Sequence, residues 1–302
     1  MPEITLPQGT IRYRDEGSGP PLVFAHGLLV NGRLWEPVVD RLAGEYRCIV
    51  PDLPLGSHVA PMRRDADLTP AGIARLIADL MAGLQLDGVT LVGNDTGGAL
   101  CQLVAVRHPE RLARLVLTNC DAFENFPPKA FRPLVVAARA RVLTAAMQPV
   151  RLRAVQRLPI AFGWLTRRPL PADVLDEWVA PFLSDAGVRR DTRRALAAID
   201  PAILLDNAAR LSTFDRPVLI AWGVDDRFFG LEDARRLAAS FPDARVEEIR
   251  DARTFVSRDQ PDRLAALLRE FARPPATEQR AGGRFAGSGG RFPTPDADYG
   301  RS

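Results

Sequence analysis

The run Val89-Thr90-Leu91-Val92-Gly93-Asn94-Asp95-Thr96-Gly97-Gly98 decides the fold. Four β-prone residues lead into a short polar turn set between glycines. An apolar helix then runs from Ala99 to about Arg107. This is the pattern of a nucleophile elbow, a strand-to-helix turn that lifts one side chain clear of its surroundings. Glycine is needed there because the turn is sharp and backbone passes close to backbone. Serine is the familiar occupant of the tip; here it is Asp95. A carboxylate so placed can attack carbon and form an ester, and a base must then drive water onto that ester.

Outward from the elbow, strands and helices alternate. Ile4–Leu6 and Thr10–Glu16 read as a hairpin across Pro7-Gln8-Gly9. Leu22–Ala25 is a short buried strand ending at His26-Gly27, and a helix is predicted near Trp35–Leu42. Arg47–Val50 is a strand closed by Pro51-Asp52. Thr69 is an N-cap with Pro70 at the first helical position, for a helix to about Leu84. Val89–Val92 and Leu115–Thr118 are strands on either side of the elbow helix. Such β-α-β alternation implies a mostly parallel sheet with helices on both faces. The rhythm breaks at 121–212, a mostly helical stretch rich in Pro, Arg and large apolar residues. It resumes with Val218–Ala221, a helix near Leu231–Ser240, Val246–Ile249 and a helix near Pro261–Phe271. The domains are therefore a core of 1–120 and 213–272, a helical cap of 121–212 over the strand ends, and a tail of 273–302. The tail, rich in Gly, Pro, Ser and charge with Gly-Gly-Arg-Phe at 282–285 and 289–292, has no core-forming pattern and is predicted to be disordered.

The 302 residues are 46% hydrophobic, enough for one large α/β domain with an insertion. A net charge of +3 leaves little field to hold a polyanion, so no nucleic-acid partner is expected. Lys129 is the sole lysine; compositional bias explains this more simply than a phosphate site does. Cys48, Cys101 and Cys120 each sit in an apolar stretch and read as buried free thiols. No His/Cys cluster suggests a metal, and no cofactor is called for. With no membrane-length apolar run and no signal-peptide pattern, a cytoplasmic protein without membrane contact is expected. The sequence does not specify an oligomeric state.

Four motifs in order, His26-Gly27, the Gly93–Gly98 elbow, His108-Pro109-Glu110-Arg111 and Trp222-Gly223-Val224-Asp225-Asp226, resemble the α/β-hydrolase superfamily over residues 3–272. An elbow aspartate resembles the branch of haloalkane dehalogenases and epoxide hydrolases. The resemblance implies Asp95 as nucleophile, the backbone N–H groups of Leu28 and Thr96 as oxyanion hole, and Asp226, rather than Asp225, as the acid that orients a catalytic histidine. That histidine is absent. The matching stretch is Asp251-Ala252-Arg253-Thr254-Phe255, with Thr254 in its place, and no histidine follows His108. A threonine hydroxyl is not a useful base near neutral pH.

The remaining histidines have plain readings. His26 shapes the loop after its strand, and His108 ends the elbow helix, where a cation suits the dipole. His58, in the Leu53–Pro61 loop, is either an ordinary loop histidine or a replacement base bordering the pocket. The halide-binding Trp of haloalkane dehalogenases is matched by Thr96. The cap tyrosines of epoxide hydrolases have no counterpart, because Tyr13, Tyr46 and Tyr299 lie outside the cap. Phe123, Phe126, Phe131, Phe162, Trp164, Trp178 and Phe182 predict an apolar pocket above Asp95, with Leu28, Asp226 and Thr254 around the same pocket. The expected function is that of a hydrolase-family enzyme on a small apolar molecule. Hydrolysis is left in question by the missing histidine. The alternatives are a non-hydrolytic acid/base enzyme and a protein that binds without turnover.

Overall fold

The computed structural model describes residues 1–273. Eight strands form one sheet: β1 Glu3–Leu6, β2 Gly9–Glu16, β3 Pro21–Ala25, β4 Arg47–Pro51, β5 Val89–Asp95, β6 Leu112–Cys120, β7 Val218–Gly223 and β8 Ala244–Ile249. Their order is β1-β2-β4-β3-β5-β6-β7-β8. The β1–β2 hairpin adds antiparallel to β4, and every other pairing is parallel. This is an α/β-hydrolase fold, as the alternation predicts.

The helices are α1 Glu36–Leu42, α2 Pro70–Gly83, α3 Thr96–Arg107, α4 Arg132–Arg139, α5 Leu143–Ala146, α6 Arg153–Gln156, α7 Ala172–Ser184, α8 Ala186–Ala197, α9 Pro201–Ala208, α10 Leu231–Ser240, α11 Val256–Asp259 and α12 Pro261–Ala272. Side chains alternate along each strand, so each face of the sheet has its own core. Val23, Leu91 and Leu117 pack with Ile77 of α2, Leu103 of α3 and Leu237 of α10. Leu22, Phe24, Val92 and Val116 pack on the other side with Val38 of α1 and Leu264 of α12. With both faces covered, β5 is apolar and buried along nearly its whole length. The predicted start of α2 holds: Thr69 Oγ1 accepts from the Gly72 N–H at 3.1 Å, and Pro70 occupies the first turn.

The chain order reverses between β3 and β5, since β4 lies on one side of β3 and β5 on the other. Crossovers diverge at such a switch point and leave a crevice beyond the strands' carboxyl ends. Leu28 follows β3 and Asp95 ends β5, so both lie at that crevice. The strands run somewhat further than the sequence suggests; β5 continues to Asp95 itself and β6 to Cys120. Helices α4 to α9 all fall between β6 and β7, where the helical stretch was expected. Residues 1–272 form one compact unit. The predicted tail lies outside the described residues, apart from Arg273. Cys48, Cys101 and Cys120 are buried and unbridged. Among the described residues no helix is long and apolar enough to cross a membrane.

Candidate active site

Asp95 has φ 53° and ψ −132°. This is a positive-φ conformation that a non-glycine residue adopts only at a cost, of order 1–3 kcal/mol. The surrounding contacts enforce it. A Cβ on Gly97 would lie 2.4 Å from the Ala25 carbonyl oxygen and 2.5 Å from that of His26. Only glycine there lets α3 start hard against the end of β3. The strain holds the Asp95 carboxyl at the turn's tip, where Oδ2 accepts from the Leu28 N–H at 3.1 Å. The Thr96 N–H also stabilises this carboxylate. The Leu28 and Thr96 N–H groups therefore both reach the Asp95 carboxyl.

Gly27 is as constrained. A Cβ on it would lie 2.0 Å from Asp95 Oδ2. Gly27→Ala should therefore displace the carboxyl. Since a misplacement of about 1 Å can cost about 10²-fold in rate, covalent labelling of Asp95 in this variant should fall by that order while circular dichroism still reports a folded chain.

Three carboxyls crowd this end of the sheet. Burial pushes the Asp95 carboxyl up to about 7, helped by the charge of Asp226 and opposed by the Leu28 and Thr96 N–H groups. Burial likewise pushes Asp226 up to about 6, against the donors that surround it. Asp121, fully buried just past β6, is held well above the ordinary carboxylate range by burial and by Asp95. The folded chain thus keeps protons that the unfolded chain has already released. Stability should fall as pH rises from the unfolded carboxylate range through the folded values. Asp95→Asn removes one of these groups. Thermal midpoints measured across pH should favour the variant above pH 7 and converge with the wild type near pH 4; a constant offset at every pH would contradict the assignment.

Asp226 and Thr254 do meet, as their matching positions imply. Thr254 Oγ1 donates to Asp226 Oδ1 at 3.2 Å. The same oxygen accepts from the N–H groups of Phe228 and Phe229 at 2.7 and 3.2 Å. Oδ2 accepts from Asn119 Nδ2 at 2.7 Å. Asp225 instead pairs with Arg167 on the surface side. Asn94, beside Asp95, donates to the Thr254 carbonyl at 2.7 Å and ties the turn to the Thr254 loop. One expectation is corrected: Asp226 and Thr254 do not line the cavity that holds Asp95. Thr254 is wholly buried, and Asp226 borders a separate polar recess with Arg167, Arg227 and Arg253.

The cavity above Asp95 has a volume of about 290 Å³. Leu28, Asp95, Thr96 and Asp121 form its polar end. Most of the remaining wall comes from the helical insertion, including Phe131, Met147, Phe162, Trp178 and Phe182. Phe123, Phe126 and Trp164 do not line it, contrary to the expectation that groups all seven aromatics. Phe126 is packed in the core and Trp164 lies on the surface. Leu158 and Ile160 are exposed and also part of the wall, which places the mouth at the turn they flank.

His58 is not brought to the cavity. It is buried, with Nε2 3.6 Å from Asp191 Oδ2 on α8, and so is no base for an ester on Asp95. His26 has the structural role expected of it: it accepts from the Leu53 N–H through Nε2 at 2.8 Å, and Nδ1 lies 2.8 Å from the Gly27 carbonyl oxygen. The residues that sequence reasoning missed are Asn119 and Asp121. Their signal was a polar interruption, Thr118-Asn119-Cys120-Asp121, at the end of an apolar strand on the same edge as the elbow.

The sequence profile of the alpha/beta hydrolase fold family matches residues 20–259, and the chain belongs to that family. It is 28% identical over 277 residues to haloalkane dehalogenase 2 of Mycobacterium tuberculosis, covering 87% of this chain and 91% of the relative. It is 30% identical over 277 residues to the cis-3-alkyl-4-alkyloxetan-2-one decarboxylase of Xanthomonas campestris pv. campestris, covering 86% and 91%. Among solved structures, an alpha/beta hydrolase fold protein from Burkholderia ambifaria superposes with a TM-score of 0.76 at 24% identity, over 89% of this chain and 97% of that one.

Proposed function

We propose that this chain is an enzyme that attacks a carbon of a small apolar molecule with the Asp95 carboxylate, forming an ester on the protein. The observation that carries this reading is the Asp95 carboxyl, held by the Leu28 N–H at 3.1 Å at the polar end of an otherwise apolar cavity. Preorganised N–H donors at that point also suit the oxyanion that forms when the ester is cleaved. The two relatives fit the same substrate size and polarity, since their names specify haloalkanes and dialkyl oxetanones. Release through the usual histidine is not available, because Thr254 fills that place and His58 faces Asp191. A second reading, acid/base chemistry without a covalent intermediate, is favoured by the Asp95 carboxyl being pushed up to about 7, where it can exchange protons near neutrality. A cavity that reaches Asp95 and holds a second carboxyl favours either reading over binding without turnover.

The test is to expose the protein to haloalkanes, epoxides, β-lactones and esters, quench in acid, and determine the intact mass and the modified peptide. An adduct on Asp95, or turnover that passes through one, supports nucleophilic attack. Turnover with no adduct at any quench time supports the acid/base reading. Neither adduct nor turnover across the panel would return the chain to a binding role.

A further inference from the structure

Asp121 is a buried acid that the reading so far leaves without work. It stands immediately after β6, and its neighbour Cys120 pairs with Asp95 across the sheet. Its N–H reaches the Asp95 carbonyl oxygen at 3.4 Å. Its side chain lines the same cavity as Asp95. Oδ2 accepts from Thr96 Oγ1 at 3.0 Å. Oδ1 is buried and, among the described residues, has no hydrogen-bond partner. Burying a polar atom without a partner is costly, and the cost is avoided by an apolar side chain in the same place. Thr96 also yokes the two carboxyls, because its N–H serves Asp95 while its hydroxyl serves Asp121.

We propose that Asp121 is the second catalytic carboxyl of this site and takes the place of the missing histidine in opening strained cyclic ethers. The proposal rests on the reading of Asp95 as nucleophile. In the first step Asp95 attacks a ring carbon, a C–O bond of the ring breaks, and the departing oxygen takes the proton of Asp121. The product is a hydroxy-ester on Asp95 and a carboxylate on Asp121, held by the Thr96 hydroxyl. In the second step that carboxylate takes a proton from water as the water oxygen bonds to the ester carbonyl carbon. The oxyanion formed is met by the Leu28 and Thr96 N–H groups. Its collapse breaks the ester C–O bond, and the new Asp95 carboxyl gives its proton to the departing alkoxide. Asp95 is left as carboxylate, Asp121 as acid, and the net reaction is ether plus water to diol.

The starting protonation matches: Asp121 is held well above the ordinary carboxylate range by burial and by the charge of Asp95. Forming the ester removes that charge, so the same step that needs an acid leaves behind a base. A halide leaves without a proton, whereas a ring oxygen needs one, so the site's spare acid selects for an oxygen leaving group.

The experiment uses the full chain with two probes, styrene oxide and 1-bromohexane, followed by acid quench and intact mass. The wild type should convert styrene oxide to its diol. Asp121→Asn keeps the shape and neutrality of the protonated acid. It should still be alkylated by 1-bromohexane, whose leaving group needs no proton, which shows that Asp95 remains reactive in the variant. With styrene oxide, ester formation should slow, and the ester that does form should be released about 10²–10⁴-fold more slowly than in the wild type. Release at the wild-type rate from Asp121→Asn, or an ester equally persistent in both proteins, overturns the role of Asp121 and leaves Asp95 as nucleophile intact. No alkylation of either protein overturns the Asp95 reading and this proposal together. If Asp121→Asn does not fold, Thr96→Val decides, because it keeps the Thr96 N–H and removes only the hydroxyl that holds the Asp121 carboxylate. Unaltered release in that variant overturns the proposal, and slowed release with undiminished alkylation upholds it.

Discussion

Asp95→Asn is expected to abolish covalent labelling by every electrophile that marks the wild type, and to reduce turnover to background. The amide fills the same space and can still be reached by the Leu28 N–H, but it has no anionic oxygen to attack carbon. The loss should therefore separate chemistry from folding, with the thermal midpoint maintained or raised. In the wild type the rate of labelling should also report the state of the nucleophile. Burial and Asp226 push the Asp95 carboxyl up to about 7. Labelling should accordingly rise tenfold per pH unit below that value and level off above it. A rate independent of pH between 5 and 8 would mean that Asp95 is ionised throughout, and the account of its environment would be wrong. Labelling that survives in Asp95→Asn would place the nucleophile elsewhere.

The second large effect concerns position 254, which the family resemblance matches to a histidine. In an Asp121→Asn background, where the Asp95 ester is expected to persist, Thr254→His should restore its release by about 10²–10⁴-fold, the usual worth of a positioned general base. The acid that would orient such a histidine is already in place: Asp226 Oδ1 is 3.2 Å from Thr254 Oγ1. Asn94 holds the Thr254 carbonyl and so fixes the backbone from which the ring would project. Thr254 is wholly buried, so the larger ring must shift its neighbours, at about 1–3 kcal/mol of stability. Measuring ester decay alongside the thermal midpoint distinguishes the outcomes. A stable double variant whose ester still persists would show that position 254 lacks a path to the cavity. That result would agree with the absence of Thr254 from the cavity wall.

These expectations share one physical cause. The end of the sheet concentrates Asp95, Asp121 and Asp226, and the described residues place no cation in hydrogen-bonding contact with any of them. Neutral donors satisfy Asp226, with four hydrogen bonds from Phe228, Phe229, Thr254 and Asn119. Asp95 and Asp121 are less fully satisfied, and they are the two that face the cavity. A fold that only needed to be stable would not retain two under-satisfied acids beside an apolar space. Active sites keep such groups because displaced protonation is what moves protons near neutral pH.

The local signals in the chain determined the fold and the placement of Asp95 at the tip of a strand-to-helix turn. The glycines around Asp95, the apolar run of β5 and the Thr69-Pro70 start of α2 act over a few residues, so their consequences follow from spacing alone. The absence of a histidine after His108 was likewise plain, and with it the question of how an ester would be released. Tertiary structure decided which polar groups share a space. Asp121 and Asp95 are 26 positions apart in the chain but sit at adjacent strand ends. Asn119 reaches Asp226 across a separation of 107 residues. His58, in a loop that sequence alone left free to border the pocket, turns instead to Asp191 in the helical insertion. Strand order, crossover direction and the packing of that insertion set these meetings. They depend on how distant segments bury their apolar faces against one another, which no local spacing encodes.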